Sequence, residues 1–267
     1  MNLAFLEPLY DRPGPWASVY VAGRAAPEDA TARQRTGARA LSDRLHGQGA
    51  DAATCRAVYG ALDALPRASG PAGYAVFAAD GEVVLRTPLA SAPSGEPGAS
   101  WGALPRVAPL PRLTAGPPSA LRRAAEAMEH FLSARVPDDE GRTNATEGVP
   151  TLVEAAREHR IDALLVRPDG PDLHREVWVG DDPDQLAVRH SEHRYLGAPE
   201  PAASRADDAL LRSAATTGAD VVYVQAEHLA PGTPRGLPAG GLGALLRWPY
   251  GGAKEEPGEA GEEGAFR

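Results

Sequence analysis

The 267-residue chain has a single cysteine, Cys55, and a single lysine, Lys254. One cysteine cannot form an internal disulfide, which fits a reducing compartment. No stretch approaches the ~20 consecutive apolar residues that a membrane-spanning helix needs, and residues 1–7 lack the basic region of a signal peptide. We therefore expect a cytoplasmic protein that has no membrane partner.

The chain also lacks the motifs that most readily identify an enzyme. We identify no nucleophile motif, and Cys55 lies within a helical pattern with no histidine at a familiar spacing, so a buried structural thiol is the favoured interpretation. Gly240-Gly-Leu-Gly243 does not have the GxGxxG spacing and precedes a predicted strand, which is the wrong context for a phosphate-binding loop. The sequence predicts no catalytic residue and no cofactor.

Metal-ligating residues are few. His190 and His193 are three residues apart and could share a metal on a helix, with His174 and Glu192 nearby. No further ligands follow at a recognised spacing, so a pair of surface histidines is the favoured interpretation. The paired carboxylates at 181–182 and 207–208 each come at a predicted helix start, where aspartate serves as a cap.

Charge is distributed unevenly. Residues 1–116 hold 11 Arg and 10 Asp or Glu, whereas the rest of the chain carries a net charge of -10. An acidic protein has no general attraction to nucleic acid, and DNA is not an expected partner. Any RNA contact should come from the nearly neutral first half.

The first half predicts a small α/β sandwich. Asp80-Gly81 lies between two β-type segments and is a strong signal for a two-residue hairpin turn. Asp51 precedes a helical pattern as a cap. The pattern predicts a strand, two helices and a hairpin, over residues 16–22, 27–46, 51–65, 74–79 and 82–87.

The second half predicts a three-layer α/β/α unit after a proline-rich, irregular segment at 88–118. An amphipathic helix at 119–136 comes first, with Leu121, Ala125, Met128 and Leu132 aligned. A polar hinge at 141–146 follows. The remaining elements are helices to about residue 160 and at 204–217, and strands at 163–166, 176–179, 220–225 and 242–248. The five glutamates after Gly251 predict a disordered tail.

Both ends of the chain resemble one family. Residues 2–21 read Asn-Leu-Ala-Phe-Leu-Glu-Pro-Leu-Tyr-Asp-Arg-Pro-Gly-Pro-Trp-Ala-Ser-Val-Tyr-Val, and residues 206–224 and 241–248 carry the C-terminal part of the likeness. They resemble actinobacterial members of the bacterial family related to archaeo-eukaryotic class I release factors, which includes Vms-type tRNA hydrolases and the Balon ribosome-hibernation factors. In that family a first domain sits at the decoding centre, a central domain points at the peptidyl-transferase centre, and a third domain carries a translational GTPase.

The resemblance implies that the central domain is absent, because too few residues separate the two ends. It implies an N-terminal release-factor-like domain at 1–111 and a linker with a remnant helix at 112–140. A C-terminal α/β/α domain at 141–250 and an acidic tail at 251–267 complete the predicted organisation. The hydrolytic residues of the catalytic relatives lie in the central domain, and the GGQ tripeptide of release factors is absent here.

We therefore expect a non-catalytic, ribosome-associated protein of the hibernation or rescue type, with a translational GTPase as a second partner. The first-domain surface of the family faces ribosomal RNA, which implies RNA-binding roles for Arg12, Arg24, Arg35 and Arg39. An ordinary solvated helix surface is the alternative interpretation of these arginines. Two other functions remain open: a degenerate paralogue that acts as a protein-interaction module, and a tRNA hydrolase with chemistry outside the missing domain.

Overall fold

The computed structural model describes residues 4–23, 30–66, 71–93, 98–110, 117–192, 197, 200–224 and 237–250. Within these residues the strands form three sheets, and helices are interspersed with the strands along the chain. The α/β class expected from the sequence is confirmed. None of the described helices is long and apolar enough to cross a membrane.

The first sheet, sheet A, has four antiparallel strands in the order β3-β2-β1-β4. Residues of β1 alternate between its two faces, as the period of a strand requires. Ala17 and Val19 point to one hydrophobic cluster and Trp16 and Tyr20 to another. The strands are β1 (Trp16–Ala22), β2 (Gly73–Ala79), β3 (Glu82–Leu89) and β4 (Gly98–Gly102).

Two helices cover one face of sheet A. The chain begins with a 3-10 turn (Ala4–Leu6) and a short helix α1 (Glu7–Tyr10), and the covering helices are α2 (Ala30–Gly47) and α3 (Ala52–Asp63). The predicted cap of α3 is confirmed, because the Asp51 carboxylate accepts from the backbone N–H groups of Ala53 and Thr54 at 2.9 Å each. The hairpin turn is confirmed as well: Asp80 and Gly81 have φ values of 49° and 78°, the left-handed pair that a tight β-hairpin needs.

Strand β4 is a correction to the prediction of an irregular segment at 88–118. Residues 98–102 pair antiparallel with β1, and β3 itself continues to Leu89. In the sequence Gly-Ala-Ser-Trp-Gly the alternation of Ala99 and Trp101 with Ser100 is only three residues long and lies between glycines, so its strand conformation depends mainly on pairing with β1.

The second sheet, sheet B, has the strand order β10-β6-β11-β5 and helices on both faces. Strands β10 and β6 run parallel, and β11 is antiparallel to both of its neighbours. One helix packs on one face and two on the other, which forms three layers. The elements are α4 (Pro117–Ala134), β5 (Thr143–Glu147), α5 (Val149–Arg157), β6 (Ile161–Val166), α6 (Ala206–Thr216), β10 (Asp220–Tyr223) and β11 (Leu242–Tyr250).

Helix α4 buries its apolar side against sheet B. Ala124, Met128 and Phe131 are fully buried there, whereas Leu132 is only partly buried. The predicted stripe of residues 121, 125, 128 and 132 is therefore shifted around the helix by about one position. The large ring of Phe131 is fully buried in this stripe, where the prediction placed Leu132; the side chain of Leu121 lies outside the described residues.

Two further segments differ from the sequence prediction. The predicted polar hinge at 141–146 contains β5, an edge strand that pairs with β11 despite its polar sequence Thr-Asn-Ala-Thr-Glu. The helix predicted from residue 204 begins two residues later, because 202–205 form β9 (Ala202–Arg205) of a small third sheet. That sheet also contains β7 (Glu176–Val179) and β8 (Leu186–Ala187), in the order β8-β7-β9.

The segment that leaves β4 connects sheet A to α6. Arg106 donates its backbone N–H to the Ser18 hydroxyl at 2.9 Å, and its carbonyl accepts from the Tyr20 hydroxyl at 2.7 Å. Two residues later, Ala108 makes two backbone hydrogen bonds to side chains of the C-terminal half. One hydrophobic cluster includes residues from both halves of the chain, although the described strands of sheets A and B do not pair with each other. The domain boundaries proposed above stay a prediction, and residues 251–267 lie outside the described residues.

Candidate functional site

The structure places two of the predicted RNA-binding arginines on the outer side of α2. Ala38, Leu41 and Leu45 turn toward sheet A, so the opposite side of the helix is solvent-facing. We call this side the arginine face of α2. On it the exposed Arg35 and Arg39 lie about one turn apart, whereas the exposed Arg33 and Arg44 lie on the other flank of the helix.

Contacts with the end of α3 fix the orientation of α2. Arg35 pairs with Asp63 across a 3.4 Å distance, and its side chain is 60% exposed. Gln34 donates its side-chain amide to the carbonyls of Leu62 and Asp63 at 2.8 and 3.0 Å, which fixes α2 against the end of α3. These contacts orient the helix while leaving the guanidinium groups accessible to solvent.

The other two predicted arginines do not join this face. Arg12 pairs with Glu82 at 2.8 Å and lines a cleft on the side of sheet A opposite to α2. Arg24 lies outside the described residues. The structure therefore brings together Arg35 and Arg39 but separates Arg12 from them.

The histidines form no metal-ligand set in the described part of the chain. No group of three or more His, Cys, Asp or Glu there could hold a metal ion. The His190 ring contacts Trp178 edge to face with 4.4 Å between ring centroids, and His193 lies outside the described residues. Cys55 is buried as predicted, and burial raises the pKa of its thiol.

A GxSxG sequence occurs at Gly98-Ala-Ser-Trp-Gly102, so the expectation that the sequence holds no nucleophile motif is wrong. In hydrolases that use this motif, the serine lies on a sharp turn between a strand and a helix. Here Ser100 lies inside β4, opposite Ser18 of β1, so the motif is not in that context. Ser100 and His174 line the same cavity, but no hydrogen bond joins these two side chains.

The predicted role of the carboxylate pair at 181–182 is wrong. These residues do not begin a helix; they lie in the turn that connects β7 to β8, where Gln185 donates its backbone N–H to the Asp182 carbonyl at 3.1 Å. The turn accounts for the paired aspartates, because short polar side chains are common in such turns.

The predicted capping role of Asp207 and Asp208 is also wrong. The N-cap of α6 is Arg205, which makes no side-chain cap, and the two aspartates are 1% and 4% exposed within the first turn. Asp207 accepts two hydrogen bonds from the guanidinium of Arg205, at 2.9 and 2.5 Å. Such a bidentate pair offsets the cost of burying the charge of Asp207.

Asp208 has no comparable partner. Its Oδ1 atom accepts the backbone N–H of Ala108 at 3.0 Å, and its Oδ2 atom is 3.7 Å from the Nε atom of Arg205. Burial and the neighbouring charge of Asp207 raise the pKa of Asp208 to about 7. The group therefore changes its charge near neutral pH.

Tyr10 and Arg212 complete this buried polar cluster. The Tyr10 hydroxyl is buried and makes no hydrogen bond within the described structure, and burial and the charge of Asp208 raise its pKa. Arg212 donates to the carbonyls of Gly180 and Asp181 at 2.9 and 2.8 Å, and burial lowers its pKa. We use the name buried polar cluster for Tyr10, Arg205, Asp207, Asp208 and Arg212.

Two adjoining cavities open beside the buried polar cluster, between the end of β4 and the small third sheet. The first, of about 340 Å³, is lined by Asp208 and by Ser100, Arg106, His174, Glu176 and Arg205. The second, of about 420 Å³, is lined by Tyr10, Arg12, Asp181, Glu200 and Arg212. Both volumes lie within the range of small-molecule sites.

The structure encloses α6 on all sides, because every residue from Ala206 to Ala214 is buried. The composition of this helix is the one signal in the sequence that could have indicated the cluster. Three charged residues in an otherwise small and apolar helix indicate a paired, buried arrangement.

Comparisons with known proteins identify no family for this chain. No family model matches it, and a search of curated proteins finds no relative.

Proposed function

We propose that this chain is a non-catalytic, cytoplasmic, ribosome-associated protein of the hibernation or rescue type. In this proposal its N-terminal half contacts ribosomal RNA through the arginine face of α2. Its C-terminal half contacts the ribosome or a translational GTPase. The resemblance of residues 2–21, 206–224 and 241–248 to release-factor-like proteins motivates the choice of partner.

The observation that carries the proposal is the exposure of arginines on α2, a helix whose position is fixed by its contacts with α3 and sheet A. Guanidinium groups form bidentate hydrogen bonds with phosphates, and a rigid helix presents them at little cost in ordering. Asp43 is the one acidic residue in the sequence of α2. The face therefore presents an excess of positive charge to an anionic partner.

The distribution of charge along the chain supports the same orientation. The part after residue 116 carries a net charge of -10, against +1 for residues 1–116. Phosphate repels the first half least, since electrostatic attraction to RNA grows with local positive charge.

Co-sedimentation with purified ribosomes through a sucrose cushion, over a series of salt concentrations, tests the proposal. We expect the double variant Arg35→Glu/Arg39→Glu to pellet less with ribosomes than the parent and to show a flatter salt dependence. The control is Arg122→Glu/Arg123→Glu on the exposed side of α4, which changes the net charge equally but lies in the C-terminal half. We expect the control to pellet as the parent does.

Two outcomes would count against the proposal. If the parent itself does not pellet, the protein does not bind ribosomes, and an interaction module without a ribosomal role becomes the better interpretation. If both double variants lose binding equally, net charge rather than the arginine face of α2 determines the interaction. Removal of residues 251–267 should leave binding unchanged or slightly tighter, because five glutamates are lost.

A further inference from the structure

The cavity of about 340 Å³ at the start of α6 combines features that favour an anionic ligand. Arg106 and Arg205 line it from two different elements, the segment after β4 and the end of β9. Ser100 and Ser204 belong to the same lining; the hydroxyl of Ser204 can donate a hydrogen bond, whereas that of Ser100 donates to the Ser18 carbonyl at 3.5 Å. The guanidinium of Arg205 already binds Asp207, so Arg106 is the arginine that can pair with the carboxylate or phosphate of a ligand.

The start of α6 adds to the positive potential of this cavity. The helix has 11 residues, and its N-cap residue Arg205 makes no side-chain cap. The helix dipole favours negative charge at this end, where the N–H of Ala206 already donates to the Arg175 carbonyl at 2.9 Å. Asp207 accepts from the N–H of Asp208 and binds Arg205, so one negative charge of the protein already lies at this end.

Two acidic groups on the cavity wall oppose an anion. Glu176 is exposed, so water screens its charge. Asp208 is buried, and its ionised form would repel an anion strongly in this low-dielectric surrounding. Its protonated form instead offers a donor, because a neutral carboxyl group has one O–H.

We propose that this cavity binds a small oxyanion, such as the phosphate or carboxylate group of a small molecule. The guanidinium of Arg106 supplies the main charge, and the protonated carboxyl of Asp208 supplies a hydrogen bond. The site is separate from the arginine face of α2, and anion binding there does not depend on whether the protein binds ribosomes.

Anion binding at this site is linked to the protonation of Asp208. The pKa of Asp208 lies at about 7, so the carboxyl group is largely neutral at pH 6 and largely ionised at pH 8. Affinity for an anion should therefore decrease about tenfold between these pH values. Charged and titratable groups around Asp208 come from several elements: Asp207 and Arg212 of α6, Arg205 of β9, Arg106 after β4, Glu176 of β7, His174 before β7, Tyr10 of α1, Tyr20 of β1 and Tyr223 of β10.

The experiment uses the full chain, with sulfate and acetate as separate probes at constant ionic strength. Both anions keep their charge between pH 6 and pH 8, so a change in affinity reports on the protein. Calorimetric titration should show binding of at least one probe at pH 6 and about tenfold weaker binding at pH 8. Preference for sulfate indicates a phosphate-type ligand, and preference for acetate indicates a carboxylate.

Two variants separate the roles of the lining residues. Asp208→Asn should remove the pH dependence and bind at pH 8 as tightly as the parent does at pH 6, since an amide is a permanently neutral donor. Arg106→Gln should weaken binding at least tenfold, because a charge-assisted hydrogen bond is lost. The matched control Arg86→Gln, on the exposed side of β3, should not change it.

Amide shifts in nuclear magnetic resonance spectra provide a test that needs no variant. Sulfate or acetate at pH 6 should shift the amides of residues 100–106 and 203–208. Absence of binding of both probes at pH 6, unchanged binding in Arg106→Gln, or shifts confined to other regions would each overturn the proposal.

Discussion

The arginine face of α2 and the buried polar cluster at α6 use the same residue type in opposite ways. On α2 the arginines are exposed, and the one described ion pair of Arg35 leaves its side chain 60% exposed. At α6, Arg212 is 5% exposed and donates to two backbone carbonyls. An exposed guanidinium attracts a partner at long range, whereas a buried one determines which local geometry the chain can adopt.

The comparison also separates two kinds of aspartate. Asp51 caps α3 at the surface; a hydrogen bond from the Thr54 side chain and the backbone N–H groups of Thr54 and Ala53 lower its pKa. Asp208 accepts one backbone N–H bond inside the protein, where burial raises its pKa. The same side chain therefore stabilises the folded state in opposite pH ranges at the two positions.

The largest expected effect comes from the pH dependence of Asp208. Its folded-state pKa of about 7 exceeds the unfolded value of about 3.9, so the folded protein binds the proton more tightly. The stability of the parent should fall relative to Asp208→Asn as the pH rises from about 4 to about 7. The difference should reach up to roughly 4 kcal/mol at pH 8.

Urea denaturation at several pH values measures this difference. Asp43→Asn, at an exposed position on α2, is the control and should follow the pH profile of the parent. A constant difference between Asp208→Asn and the parent from pH 4 to pH 8 would show that Asp208 has an ordinary pKa.

Loss of the buried guanidinium of Arg212 comes next. Arg212→Met leaves the carbonyls of Gly180 and Asp181 without these donors in a buried place, and we expect a loss of about 3 kcal/mol. The same substitution at the exposed Arg39 should change stability by less than about 0.5 kcal/mol. Chemical denaturation measures both variants. Equal losses of unfolding free energy would show that burial does not distinguish the roles of Arg212 and Arg39.

The smallest of the three effects concerns the cap of α3. Asp51→Ala should cost about 1 kcal/mol, since two N–H groups of the first turn lose their acceptor. Ionised Asp51 stabilises the folded state at pH values above its unfolded pKa. This stabilisation is lost as the pH falls, because the pKa of Asp51 is lowered in the folded state. Thermal unfolding should therefore show a smaller difference from the parent at pH 3 than at pH 7, and Asp51→Asn should retain most of the stability.

Much of the fold follows from local patterns. The strand at 16–22, the turn at Asp80 and Gly81 and the cap at Asp51 follow from short-range signals, and each is confirmed. Strands β4 and β5 were not predicted because their polar and glycine-containing sequences become strands only when a neighbour supplies hydrogen bonds. The shift of the buried stripe on α4 likewise depends on which residue contacts the sheet.

The sites divide in the same way. The arginines of α2 are visible in the sequence, because an exposed helix face needs no distant partner. The buried polar cluster brings Tyr10 together with residues 205–212, and its Asp208 accepts the N–H of Ala108, 100 positions away; spacing along the chain contains no information about these contacts.

The sequence by itself determined the α/β class, the positions of most helices and strands, and the separation of a nearly neutral first half from an acidic second half. These properties follow from hydrophobic period, turn residues and composition, which act over a few residues. Tertiary structure alone decided that Arg12 lies apart from Arg35 and Arg39, and that Asp208 is buried beside a cavity. Burial and long-range charge set the chemistry of these groups, and both depend on which segments pack together.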